Sequence, residues 1–326
     1  MPMLFPPDIC LPETADALIN CAISSGDLHS AAAVYELAEG EQKQQLSDIL
    51  CKERRNTLLL ARWEHTPAAV LQMLAEIEDE TIRLRLDKNP SSRAGTLNTI
   101  YKKGGHDRQL ISLLTQHAHS SSTLLNSLAM SEDDIPILKS IAAHPNTDAN
   151  TLNRLEQRYP DMFDNELAVH AETPPELLEK LYQRGNCFIR SAVVTHIRCP
   201  QFLLDLAFNE TDINILRHLA ANPRLSPEKL AILAQHDDVS VLRTLAGNPS
   251  LSKELANQMI HNSTNIVRRA LASRTDLTDE NLQQLANDED HWVRQRVARH
   301  PQLDEMLLNK LAQDQNDEAR RAVTRN

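Results

Sequence analysis

Glycine is scarce in this 326-residue chain, with seven residues where an average chain of that length holds roughly twenty. That shortage argues against enzymes built on glycine-rich phosphate loops and many strand-to-helix turns. Aromatic residues make up only 3% of the chain. No stretch approaches the ~18 consecutive apolar residues of a membrane span, and the start, MPMLFPPDICLPETADALI, lacks the basic region and apolar core of a secretory leader. Five scattered cysteines form neither a disulfide framework nor a CxxC site. Positive charge is also in deficit: 34 Lys+Arg against 45 Asp+Glu give a formal net charge of −11. A field of that sign disfavours nonspecific attraction to nucleic acid or anionic lipid. These absences lead us to expect a mostly helical protein of the cytoplasm, with no membrane partner.

What is present is a repeat. The segments LAANPRLSPEKLAILA, LAGNPSLSKELANQMI, LASRTDLTDENLQQLA and VARHPQLDEMLLNKLA align without gaps. Taking the residue that is proline in half of the copies as an anchor places it at Trp63, Pro90, His117, Pro145, Ala171, Ile197, Pro223, Pro249, Thr275 and Pro301. The steps are 27, 27 and 28, then 26 six times. A constant step over ten copies is the signature of a repeat array.

Each copy announces two helices. Three residues after the anchor stand Thr66, Ser120, Asp148, Ser226, Ser252, Thr278 and Asp304, residue types that cap a helix N-terminus. Leucines follow at helical spacing, as in Leu230 with Leu233 and Leu282 with Leu285. The second helix is predicted to start at Asp79, Asp134, Asn186, Asp212, Asp238, Thr264, Asp290 and Asn316, eleven residues before the next anchor in most copies. Helices of about nine residues do not persist alone in water. Stacked in pairs they bury a continuous apolar face, which is the logic of a solenoid. Before the anchor sits Asn or His in seven copies, expected to form a hydrogen-bonded ladder that closes the loops. Zinc bonds of about 2.0–2.1 Å do not span the ~9–10 Å between units, so no metal is expected there.

Segments such as AANPRLSPEKLAILAQHDDVSVLRTLAGNP and DEDHWVRQRVARHPQLDEMLLNKLA resemble the leucine-rich repeat variant family, within the HEAT-like group. The resemblance covers about residues 52–326 and implies an all-α, right-handed α-solenoid of about ten 26-residue two-helix repeats. Residues 1–51 lie outside the clean repeat and read as an N-terminal helical cap broken at Gly26 and Gly40. That segment carries eight acidic residues against Lys43 alone, a net −7. The family does not imply one function, since such arrays serve as scaffolds, assembly factors and some DNA-repair proteins.

Two basic ladders stand on the second helices. Arg83, Arg190, Arg268, Arg294 and Arg320 hold one position, and Lys139, Arg217, Arg243, Arg269 and Arg321 the next. Stacking aligns them into a stripe able to grip an acidic surface, peptide or helix, or a phosphate backbone. Alternatively each arginine pairs with a nearby cap, as Asp238 with Arg243 or Asp290 with Arg294. Trp292 is either a partner anchor or cover for the adjacent unit. The candidate partner-binding set is therefore Arg190, Arg217, Arg243, Arg268, Arg269, Arg294, Arg320, Arg321 and Trp292. Cys10, Cys21 and Cys51 lack the compact spacing of a cluster site and are expected to be buried structural thiols, so no cofactor is expected. No nucleophile elbow, zinc-protease or phosphate-loop motif occurs. The reading is a noncatalytic protein-binding scaffold or adaptor that takes its partner along the concave face of the solenoid, lined by the second helices. A nucleic-acid binder or HEAT-like DNA glycosylase is the alternative, disfavoured by two tryptophans in a slightly acidic array.

Overall fold

The computed structural model describes residues 12–104 and 107–324. Among them every regular element is an α-helix, 24 in all, and successive helices pack on their neighbours as in a helical solenoid. The chain divides into two compact units, one ending at Glu166 and the other beginning at Leu167. That division measures compactness, whereas the expected boundary at residue 51 marks where the repeat begins.

In the first unit the helices Pro12–Ser25, Leu28–Val34 and Gly40–Cys51 pack on one another, and the last leads onto Arg54–Arg62. Gly26 and Gly40 break them with φ of +61° and +53°, the left-handed region that glycine enters without strain. From there second helices form a row: Arg54–Arg62, Glu80–Asp87, Arg108–Leu114 and Ile135–Ala143. In the second unit the row is Cys187–Thr195, Ile213–Ala220, Val239–Ala246, Asn265–Leu271, His291–Val297 and Asp317–Val323. Close packing within the rows rests on a small residue eight positions after the cap: Ala61, Ala142, Ala220, Ala246, Ala272 and Ala298 are all buried.

The caps explain where the helices start. Asp79, Asn186, Asp212, Asp238, Asp290 and Asn316 each accept a hydrogen bond from an amide two or three residues on. Asp134 and Thr264 hold the same position without such a bond. On the first helices Ser121, Asp148, Ser226, Ser252, Thr278 and Asp304 cap the third amide.

Thr66 and Ser120 are not caps, contrary to the sequence expectation. Both are buried and donate to the carbonyl six residues back, Thr66 to Leu60 at 2.6 Å and Ser120 to Leu114 at 2.5 Å. Ser92, Thr147 and Thr173 make the same bond. The first and third copies are thus registered one residue late, with anchors at Glu64 and Ala118.

The ladder is continuous within each unit. Asn89 Nδ2 donates to the carbonyls of Ala61 and Trp63. His117 Nε2 bonds the Asn89 carbonyl, and His144 Nε2 bonds that of His117, both at 3.0 Å. In the second unit His196 bonds His170 at 2.8 Å, Asn222 bonds Val194, Asn248 bonds Ala220 and Asn222, and His300 bonds Arg274. Arg274 fills the place between them, donating to the carbonyls of Ala246 and Asn248. The other side-chain atom of each Asn or His accepts from the amide two residues on, as at His144, His196, Asn222 and Asn248. An acceptor facing its own turn and a donor facing the previous turn are what amide and neutral imidazole share. That is why Asn and His interchange along the repeat.

Candidate interaction surface

Position counted from the second-helix cap decides what each arginine does. Four residues after the cap the guanidiniums of Arg190, Arg268 and Arg294 reach a carboxylate of the next repeat, whereas Arg83 has its Nε buried without a hydrogen-bond partner among the described residues. Arg294 grips Asp314, twenty residues on, with Nε and Nη2 at 2.7 and 3.0 Å, and donates to the Asp288 carbonyl at 2.8 Å. Arg268 does the same with Asp288 at 2.6 and 3.0 Å and with the Ser263 carbonyl at 2.8 Å. Both arginine side chains are 17% exposed. Arg190 reaches Glu210 at 2.7 Å. Arg320 donates to the Asp314 carbonyl at 2.5 Å and pairs with Asp317. The Arg294 guanidinium beside Asp314 holds that carboxyl below its ordinary range. These four side chains are committed to the protein itself.

The partners differ from those the sequence indicated. Arg294 pairs with Asp314 rather than with the cap Asp290, and Arg243 does not pair with Asp238. Asp238 is instead occupied by Ser240 and by the amides of Ser240 and Val241. A cap carboxylate spent on its own first turn has little left for an arginine one turn later.

Five residues after the cap the picture changes. Arg217 and Arg243 have neither hydrogen bond nor ion pair among the described residues, and Arg243 is exposed. Arg269 is exposed and stacks over the Trp292 ring of the next second helix, 4.9 Å from its centroid. Arg321 lies at 3.4 Å from Glu318 on its own helix, and in the first unit Lys139 lies at 3.1 Å from Glu166. The repeats that carry the unpaired Arg217 and Arg243 have leucine at the preceding, inward position, Leu216 and Leu242.

A third position was not singled out from the sequence. Two residues after the cap, Phe188, Ile266 and Trp292 are 78, 50 and 42% exposed. Positions two and five lie three apart, on one side of a helix. The outer side of this row therefore carries apolar side chains beside guanidiniums. The signal was readable as large apolar residues directly behind caps, where the helix's own core begins only at the third position. Trp292 is half-exposed and its ring is covered on one side by Arg269, which joins the two readings left open for it.

Of the cysteines, Cys10 lies outside the described residues. Cys21 is exposed, so it is not the buried thiol expected, while Cys51 is half-buried against Met73 at 3.6 Å. Cys199 is buried in the position that holds Thr or Ser in the first unit, and burial pushes its thiol up to about 11. Among the described residues no group of three or more His, Cys, Asp and Glu is placed to hold a metal ion. No described helix is long and apolar enough to cross a membrane.

Neither protein-family models nor curated proteins match the chain. Among solved structures, the crystal structure of an engineered protein aligns over 95% of this chain and 97% of its own, at 13% identity. The TM-score of that superposition is 0.26.

Proposed function

We propose that the chain is a noncatalytic scaffold of the cytoplasm, of the leucine-rich repeat variant type, that binds another protein along its second helices. The observation that carries this reading is the division of labour between two adjacent arginine positions. Arg190, Arg268, Arg294 and Arg320 are held by the protein's own carboxylates and carbonyls. Arg217, Arg243 and Arg269 have no acidic partner among the described residues and stand on a row that also exposes Phe188, Ile266 and Trp292. Uncommitted guanidiniums beside large apolar side chains suit an acidic amphipathic peptide or helix, whose carboxylates and apolar face meet both features.

The test is affinity capture from native lysate with the parent chain and with Arg217→Ala/Arg243→Ala/Arg269→Ala, with and without nuclease and at two salt concentrations. A protein retained by the parent after nuclease and lost by the variant supports the reading. Nucleic acid retained with a steep salt dependence replaces it with the phosphate-binding alternative. Identical partners for both chains remove these arginines from the interface.

A further inference from the structure

The helix Arg54–Arg62, in the first unit, carries a second concentration of arginine with a different geometry. Arg54, Arg55, Leu58, Leu59 and Arg62 fall on one side of it by their spacing. With Arg85 of the neighbouring helix, and His29 of the helix Leu28–Val34 as the facing wall, they line an open cleft of about 890 Å³. That lies within the range of small-ligand and peptide side-chain sites, roughly 300–1,000 Å³. Here the helices that precede the repeat turn what is an open helix face elsewhere into a concave one.

The charges in the cleft are unevenly committed. Arg54 is held by Asp79 at 2.6 and 3.2 Å. Arg85 spends one N–H on the Leu58 carbonyl at 2.8 Å. Arg55 and Arg62 are exposed, with no hydrogen bond or ion pair among the described residues, and Glu64 is the only carboxylate in the lining. Between them Leu59 is 46% exposed. Trp63 closes the end, half-buried, its ring already engaged by His29 at 5.0 Å and His65 at 5.9 Å.

We propose that this cleft is a binding site for a short acidic peptide segment bearing a large apolar side chain, with carboxylates on Arg55 and Arg62 and the apolar group against Leu58 and Leu59. It shares no residue with the Arg217–Arg243–Arg269 face and does not depend on it. Three observations favour a peptide over nucleic acid. The apolar floor is leucine, which grips a side chain but offers no stacking plane. The one indole is occupied by two imidazoles, whereas single-stranded nucleic acid needs open aromatic platforms. The helix Leu28–Val34, whose His29 forms one wall, belongs to a 51-residue segment of net −7, a field that opposes a chain charged at every unit more than a peptide with a few carboxylates.

The probe is a fluorescein-labelled peptide of sequence Glu-Glu-Leu-Phe-Glu-Glu, followed by anisotropy with the full chain. Controls are the same peptide with Ala-Ala in place of Leu-Phe, and an eight-residue oligothymidylate. The parent chain should bind the first probe saturably below about 1 mM and both controls more weakly. Arg55→Ala/Arg62→Ala should weaken it about tenfold, as two exposed charge pairs lost together would. Leu59→Ala should lower affinity for the Leu-Phe probe while leaving the Ala-Ala probe unchanged. Lys180→Ala/Lys253→Ala, which removes two exposed charges elsewhere, should change nothing. Since Arg55, Arg62 and Leu59 are exposed, unchanged circular dichroism is expected for every variant. No saturable binding by the parent, full affinity in Arg55→Ala/Arg62→Ala, or equal binding of the oligothymidylate each overturns the proposal.

Discussion

Asp87 sits eight residues after the cap, where six other helices of the rows place a buried alanine, at the tight approach between second helices. It is 2% exposed, and neither carboxylate oxygen has a hydrogen-bond partner among the described residues. Arg83, one turn earlier on the same helix, makes no ion pair with it, and Lys88 beside it offsets little of the burial. Burial raises its carboxyl from 3.8 to about 7. The folded state therefore keeps a proton that the unfolded chain releases above pH 3.8. Stability from this group is complete below that pH, declines as pH rises toward 7, and is flat beyond. At about 1.4 kcal/mol per unit, the penalty at pH 8 is on the order of 4 kcal/mol. Asp87→Ala removes the penalty and supplies the residue found at six equivalent positions. The small void it leaves returns about 1 kcal/mol. The variant should then be more stable than the parent by about 3 kcal/mol at pH 8, and by about 3 kcal/mol less than that at pH 5. Urea unfolding of both chains at the two pH values, followed by circular dichroism, reads this directly. A difference between the chains that does not change with pH would mean that Asp87 is ionised in the fold at both.

Two further expectations come from the repeat itself. His196 is neutral in the fold, since its Nδ1 accepts from Arg198 while Nε2 donates to the His170 carbonyl, and burial lowers its pKa below 6.5. Its contribution is present above pH 6.5 and is lost as pH falls through and below it, so His196→Asn should match the parent at pH 7 and lose less stability by pH 5, read as urea midpoints. Leu282 is fully buried between helices, and Leu282→Ala should cost about 2–5 kcal/mol by thermal or urea unfolding; a loss under half a kcal/mol would misplace the core face.

The repeat, the second-helix caps and the Asn/His ladder could be read from the sequence because each is a matter of spacing along one chain. Thr66 and Ser120 mislead for a physical reason. A short hydroxyl near a helix start serves equally as a cap or as a donor to the preceding helix, and only the register of the loop decides. The steps between ladder positions 63, 89 and 117 are 26 and 28 residues, so an even step of 27 misplaces the first and third copies. The arginine ladders mislead differently. Positions four and five after a cap point about 100° apart on a helix, and which one meets the next loop depends on how repeats stack. The usable clue was an acidic residue twenty positions on, Glu210 after Arg190, Asp288 after Arg268 and Asp314 after Arg294. Arg217 and Arg243 belong to repeats with leucine at position four. The cleft on Arg54–Arg62 is hidden in the sequence because the acidic charge of the preceding segment masks the cluster RRNTLLLARW when charge is summed.

Adjacent arginine positions do different work, one holding repeats together and the next, at Arg217 and Arg243, left without a carboxylate among the described residues. Equilibrium unfolding of two paired variants, measured side by side, tests this division most directly. Arg268→Ala/Arg294→Ala removes two bidentate grips and their carbonyl bonds, and should cost about 3 kcal/mol or more. Arg217→Ala/Arg243→Ala should stay within about 0.5 kcal/mol of the parent, since neither side chain holds a partner among the described residues and neither is in the core. Equal losses from both pairs, or a larger loss from the second, would mean that the two positions do the same work.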